Sequence, residues 1–301
     1  MRFSEDSMDT LTCVDGLQLD IHVWQPDSPK GVILAIHGGL AHGGDYVTPA
    51  LYFKDQGFAM VSYDLRGHNK QKKVYVEKFD NLLEDTLFFL QWVKKTYPGL
   101  PIFVMGHSVG GLLATHLGLG MFKNDTDILG YIISSPFYVN ATPVPKIMQS
   151  LSTLLSKVAP KMTVPLDDVM DYLTHDKAIT QRHRVDEEDY TRAQECSMRF
   201  AKELQGAQVS LPGIIQDWNS PMFAVVAGQD RLADSQGTRE LLNGIDQSLL
   251  TYQYHKDNYH ENFNEVNRLD IFADIHEWMQ KQLSIKKPIN KSVNQPLNQG
   301  I

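Results

Sequence analysis

The sequence predicts an α/β domain: a mostly parallel central sheet with helices on both faces, interrupted by a helical insertion. Three observations carry this. Short, continuous apolar runs recur along the chain, among them Gly31–Ile36 and Phe58–Tyr63, each of a length suited to a strand buried on both faces. Helix-compatible stretches separate them. One run, Ile102–Met105, leads through Gly106-His107-Ser108-Val109-Gly110-Gly111 directly into the helix-compatible Leu112–Leu119, so strand, very tight turn and helix follow at once.

Taken in order, residues 10–24 alternate apolar and polar around Asp15-Gly16, the pattern of a β-hairpin with a tight Asp-Gly turn. Pro26 to Lys30 form a loop. The strand at 31–36 ends in His37-Gly38-Gly39-Leu40. Residues 46–56 fit a helix, and the strand at 58–63 ends in Asp64-Leu65-Arg66-Gly67-His68. Residues 80–97 read as a helix with Leu82, Leu83, Thr86, Phe89, Leu90 and Val93 on one face, broken by Pro98-Gly99. Ile128–Ser134 is a further strand. From about Pro136 to Asn219 the rhythm changes. Ile147, Met148, Leu151, Leu154, Leu155 and Val158 make an apolar stripe at helical spacing, followed by Pro160, Pro165 and the charged stretch Asp186–Arg192. No strong strand stands out there. The sheet rhythm returns at 221–228, with a helix at 235–244, a strand at 249–254 and a final helix at 265–282. The expected division is a core in two parts, 1–136 and 220–284, a helical insertion at 137–219, and a disordered tail at 285–301 rich in Asn, Gln, Lys and Pro. There is no internal repeat.

With 301 residues, 42% of them hydrophobic, the chain can bury a large core. A net charge of −8 and a pI near 5.7 argue against nucleic acid as a partner. They leave apolar contact with a membrane surface open. Cys13 and Cys196 form neither a disulfide framework nor a zinc spacing and read as free thiols in a reducing compartment. The first ten residues carry acids and no apolar stretch, unlike a signal peptide. No apolar run approaches the roughly 20 residues of a membrane span. A cytoplasmic protein is expected, with membrane contact peripheral at most. Nothing in the sequence sets the oligomeric state.

Gly106-x-Ser108-x-Gly110 has the spacing of a nucleophile elbow, although a glycine-rich turn with an incidental serine would look the same. A serine nucleophile needs a base, and the base needs an orienting carboxylate. Asp230 follows the strand at 222–227 and His260 follows the strand at 249–254. Both stand at carboxyl ends of strands, the edge where Ser108 also lies and where open α/β sheets bind ligands. Asp234 is the rival acid and reads as a helix N-cap. His255 is the rival base, placed too early for the loop. His107 is expected to pack or hydrogen-bond. Two N–H donors must meet the developing oxyanion, and Val109 and Gly39 are the candidates. His37, His42 and Asp45 hint at a metal, but without a second ligand group the signal is weak. The chemistry requires no metal and no cofactor.

These stretches resemble the α/β-hydrolase superfamily, and specifically its monoglyceride lipase and lysophospholipase branch of serine hydrolases, close to the serine aminopeptidase S33 type. The resemblance rests on His37-Gly38-Gly39, Tyr63-Asp64-Leu65-Arg66-Gly67-His68, Gly106–Gly111, Gly228–Asp234 and Tyr259-His260-Glu261, and covers roughly residues 10–282. It implies an α/β-hydrolase fold and a lipid-like ester substrate, monoacylglycerol or lysophospholipid. It also implies that the insertion is a cap forming an acyl tunnel, with transient membrane contact through that cap. Ile147, Leu151 and Leu155 of the apolar stripe are the candidate acyl contacts, together with Leu40, which narrows the mouth of the oxyanion loop. Two departures stand out: Asn69-Lys70-Gln71 after Gly67-His68, where the family usually has Gly-x-Ser, and Leu40, where glycine is common. Neither touches Ser108, Asp230 or His260. The alternatives are a small-ester or thioester hydrolase with the same triad, and a non-catalytic binding protein on a hydrolase fold. A dehalogenase or epoxide hydrolase would need an aspartate at position 108.

Overall fold

A computed structural model describes residues 1–143, 146–164 and 169–286, with the side chains of 146–151 and 286 outside the description. Eight strands form one sheet: β1 (Ser7–Thr12), β2 (Gln18–Trp24), β3 (Val32–Ile36), β4 (Ala59–Tyr63), β5 (Ile102–His107), β6 (Ile128–Ser134), β7 (Met222–Ala227) and β8 (Leu250–His255). Their spatial order is β1-β2-β4-β3-β5-β6-β7-β8. The first two strands pair antiparallel, as do β2 and β4, and every later pairing is parallel. Helices α1 (Val47–Asp55), α2 (Phe79–Thr96), α3 (Val109–Leu119), α7 (Ser235–Leu242) and α8 (Arg268–Lys286) connect or close the strands.

Strand residues point alternately to the two faces, and the core divides accordingly. Val32, Leu34 and Ile36 of β3 join Leu82, Phe89 and Val93 of α2 and Leu112 and Leu113 of α3 on one face. Ile33 and Ala35 of the same strand join Ala50 and Phe53 of α1 and Ile271, Ile275 and Met279 of α8 on the other. Every residue of β3, β4 and β7 is buried, which explains why these strands read as unbroken apolar runs.

Between β6 and β7 the chain forms α4 (Lys146–Val158), α5 (Lys177–Glu188) and α6 (Met198–Ser210). The sequence shows no strong strand here, and among the described residues the structure has only very short ones. Thr163–Val164 and Glu195–Ser197 pair with each other, and Glu195–Ser197 also pairs with Lys73–Val74, making a three-stranded ribbon. Strands of two or three residues are too short to show a period. Phe200 and Leu204 of α6 pack into the same cluster as α2 and α3, so this segment is joined to the core. The first hairpin differs from the sequence reading. Cys13 N–H donates to Leu17 at 2.8 Å and Gly16 N–H to Cys13 at 3.0 Å, with Gly16 at φ +81°. That is a longer loop ending in a left-handed glycine, not a two-residue turn. The last helix starts three residues later than expected, and runs to Lys286, into the stretch read as tail. Residues 287–301 of that stretch lie outside the described residues.

Candidate active site

Ser108 stands between β5 and α3 with φ 52° and ψ −117°, a conformation that costs a non-glycine residue energy, and it is buried at the apex of the turn, 8% exposed. The flanking glycines make this turn possible. A Cβ on Gly106 would stand 2.4 Å from the Gly110 carbonyl oxygen, and one on Gly110 would stand 2.0 Å from that of Ile36. The Ser108 carbonyl accepts from Gly111 and Leu112, while Val109 occupies the first position of α3, where a helix N–H has no partner within the helix.

The loop after β3 packs on this elbow. A Cβ on Gly38 would meet Ser108 Cβ at 3.2 Å, and one on Gly39 would meet Val109 Cγ2 at 3.1 Å. His37 holds the loop. Its Nε2 accepts from Leu65 N–H at 2.8 Å, so the proton is on Nδ1, which donates to the Gly38 carbonyl at 2.7 Å. Burial pushes this imidazole down to about 3, so it is neutral. His37 is therefore a strut of the loop.

Asp230 and His260 follow β7 and β8, at the same edge of the parallel sheet as Ser108. Asp230 Oδ2 accepts from His260 Nδ1 at 2.7 Å, and Asp230 Oδ1 accepts from Leu232 and Ala233 N–H at 2.8 and 2.9 Å. Burial opposes the charge on Asp230. The His260 ring and the two backbone donors outweigh it and hold the carboxyl below its usual range. The rivals lie elsewhere. Asp234 caps α7 by accepting from Gln236 N–H at 3.0 Å, and His255 contacts Gln253 and Asn267. His107 donates from Nδ1 to the Ser134 carbonyl at 3.2 Å and sits with its ring 4.7 Å from His260. Burial, then the neighbouring His260, push its own imidazole down to about 3.

Ser108, His260 and Gly39 line one cavity of about 70 Å³. Leu173 and Leu232 give it apolar walls, and Asp45, Arg192 and Glu261 form a charged one. Leu40 and Leu155 are not among the described residues lining it. Leu40 sits at φ +62° and its carbonyl accepts from Ala193 N–H at 2.8 Å. On α4, Leu155 is half-buried, while Leu154 and Val158 are 56% and 69% exposed. The side chains of Ile147, Met148 and Leu151 lie outside the described residues. So the described part of the stripe is not a single buried face.

The charged wall was not legible in the sequence. Arg192 and Asp186 belong to the stretch singled out in the sequence only as charged, and both are buried. Arg192 Nη1 donates to Asp45 at 2.6 Å and Nη2 to Glu261 at 3.1 Å. Burial opposes both carboxylates, but His42 and Arg192 around Asp45, and His183 and Arg192 around Glu261, hold them well below the usual range. His42, Asp45 and Asp186 do bring ligand atoms within 4.8 Å of one another, without His37. Their carboxylates already face guanidinium groups, Arg2 at 2.5 Å from Asp186 and Arg192 at 2.6 Å from Asp45, which makes the cluster an ion-pair lattice. Among the described residues no helix is long and apolar enough to cross a membrane.

Known proteins resemble the chain over most of its length. The chain is 25% identical over 273 residues to a monoacylglycerol lipase from Mycolicibacterium smegmatis, covering 90% of this chain and 95% of that one. It is 27% identical over 262 residues to the phospholipase YtpA of Bacillus subtilis, covering 83% and 95%. A soluble variant of monoglyceride lipase from Saccharomyces cerevisiae, solved with a substrate analog, superposes with a TM-score of 0.80 at 19% identity over 93% of this chain and 96% of that one. The model of one family, described as serine aminopeptidase, S33, matches residues 27–267. With the sheet order, the elbow and the matched span in agreement, the chain belongs to the serine aminopeptidase S33 family and has the α/β-hydrolase fold.

Proposed function

We propose that this carboxylic ester hydrolase cleaves fatty acyl esters, monoacylglycerol or lysophospholipid, through an acyl-enzyme on Ser108. The observation that carries the reading is the 2.7 Å Asp230–His260 hydrogen bond at the cavity that Ser108 also lines. With Nδ1 engaged by Asp230, His260 Nε2 is the free lone pair and takes the Ser108 proton as Oγ attacks the ester carbonyl. Asp230, ionised, stabilises the imidazolium. The N–H groups of Gly39 and Val109 receive the oxyanion. His260 then protonates the leaving alcohol, and a water that it activates releases the fatty acid. No metal or cofactor enters these steps.

The lipid assignment draws support from the monoacylglycerol lipase and phospholipase among the relatives. A cavity of about 70 Å³ holds a few waters, or the reacting ester group with the first carbons of an acyl chain. The rest of a long chain has to run outside it, and Leu40, Ile147, Leu151 and Leu155 are the proposed contacts. The exposed Leu154 and Val158 make α4 the proposed point of transient membrane contact. Hydrolysis of p-nitrophenyl esters of increasing chain length, beside monoacylglycerol and lysophosphatidylcholine, tests this. Rates that climb toward acyl chains of about eight carbons or more, at up to about 0.8 kcal/mol per buried CH₂, support it. A maximum at acetyl or butyryl replaces it with a small-ester hydrolase.

A further inference from the structure

Arg192 stands in the segment between α5 and α6, yet its guanidinium reaches two loops that come from opposite ends of the chain. One fork goes to Asp45, on the short turn Gly43–Tyr46 that follows the oxyanion loop. Tyr46 braces the root of that loop by donating to the Ile36 carbonyl at 2.7 Å. The other fork goes to Glu261, the residue after His260. The second Glu261 oxygen accepts from His183 Nε2 and Asn264 Nδ2, each at 2.8 Å. Backbone bonds run parallel to the two forks. Ala193 N–H donates to the Leu40 carbonyl, one residue past Gly39, and Glu261 N–H donates to the Leu173 carbonyl, both at 2.8 Å.

We propose that Arg192 is a positioning residue: it clasps the oxyanion loop to the catalytic-histidine loop, so that the site is assembled only while the 137–219 segment is seated. This rests on the Ser108–His260–Asp230 reading above. A buried ion triad is a poor device for stability, because packed apolar residues of the same volume do as well or better. What it supplies is direction. A planar fork fixes two carboxylates at set angles, and through them two loops. The clasp also explains why Asp186 and Arg192 are buried at the two ends of a charged stretch whose other residues are half-buried or exposed. Its charges face one another across the junction, Asp186 towards His42 at 3.4 Å and Arg2, Arg192 towards Asp45 and Glu261.

The test compares Arg192→Met, Arg192→Lys, Glu261→Gln and the Arg192→Lys/Glu261→Gln double variant. p-Nitrophenyl acetate, which reports the chemistry without a long acyl chain, is the substrate, with a fluorophosphonate probe in parallel. Lysine keeps the charge but cannot fork to both carboxylates. The expected result is a fall in kcat of about 10- to 100-fold in Arg192→Lys, the cost of a misplacement near 1 Å. KM and Tm stay near wild type, probe labelling slows in proportion, and the double variant loses little more than either single one. Should Arg192→Met not fold, Arg192→Lys and Glu261→Gln decide the matter. A wild-type kcat in Arg192→Lys, or losses that multiply in the double variant, overturns the clasp. Probe labelling that persists in Ser108→Ala overturns the site reading on which it rests, so the two failures are told apart.

Discussion

Gly110→Ala adds one methyl group at the point where α3 passes closest to β3. Its Cβ would stand 2.0 Å from the Ile36 carbonyl oxygen and 2.6 Å from that of His37. A carbon and a carbonyl oxygen ordinarily approach no closer than about 3.3 Å, so the backbones must part by about 1 Å or more. Both neighbours are backbone, so no flexible side chain can yield instead. The overpacking costs about 1–3 kcal/mol, which lowers Tm by roughly 2–10 °C in a protein of this size. The larger effect falls on catalysis. Ile36 and His37 lead directly into Gly38-Gly39, and α3 carries Val109, so the two proposed oxyanion donors move apart. A misplacement of about 1 Å costs about 100-fold in kcat/KM. Gly206→Ala in α6 is the control, because its Cβ would meet nothing within 4 Å. There alanine should leave activity unchanged and stabilise by up to about 1 kcal/mol. Kinetics on p-nitrophenyl acetate and thermal melts of both variants measure this. A Gly110→Ala enzyme with wild-type kcat/KM refutes the link between elbow packing and oxyanion geometry.

Three further outcomes are expected. Asp230→Asn lowers kcat by about 10³- to 10⁴-fold, as loss of an orienting carboxylate does, whereas Asp234→Asn, still a good N-cap, stays near wild type; the reverse pattern in steady-state rates exchanges the two roles. His22 is buried between Glu5 at 2.8 Å and Asp64 at 3.4 Å; burial opposes its charge, but Asp64 and Glu5 outweigh it and push the imidazole from 6.5 up to about 9. Because this value is raised on folding, its stabilisation is complete below the unfolded value of 6.5 and is lost as pH rises through about 9. At about 1.4 kcal/mol for each pH unit that is on the order of 3 kcal/mol, seen by urea denaturation between those limits, and a His22→Gln variant that keeps the same alkaline slope contradicts it. Leu155→Asp should flatten the rise of kcat/KM with acyl length, roughly fourfold per CH₂ before the pocket fills, while acetyl ester hydrolysis survives; equal loss on short and long esters makes Leu155 a packing residue only.

The middle of the sheet was legible because β3, β4 and β7 are buried on both faces, so that 31–36, 58–63 and 221–228 appear as apolar runs whatever the register. The elbow was legible because a backbone approach of this closeness admits only glycine at 106 and 110. Asp230 and His260 were expected at one sheet edge from chain order and strand ends, and the structure joins them by a 2.7 Å hydrogen bond. The ribbon of Lys73–Val74, Thr163–Val164 and Glu195–Ser197 escaped because its strands are too short for alternation. The charged wall escaped for another reason. Asp45 and Glu261 pair with Arg192 only after the chain has brought positions 147 and 69 residues apart into contact. Nothing local distinguishes such residues from solvated ones. The apolar spacing on α4 correctly indicated a helix, but spacing alone does not say which neighbours cover it, and Leu154 and Val158 are exposed.

The most direct measurement is covalent labelling by a fluorophosphonate probe, which reacts only with an activated serine, followed by mass spectrometry of the modified peptide. The account predicts stoichiometric modification at Ser108 in the wild-type protein. It predicts no modification and a kcat lower by about 10⁴-fold or more in Ser108→Ala, with an unchanged melting curve. An unlabelled wild-type protein, or a Ser108→Ala variant that keeps more than about a tenth of wild-type turnover, a loss far smaller than a triad residue commands, would contradict it.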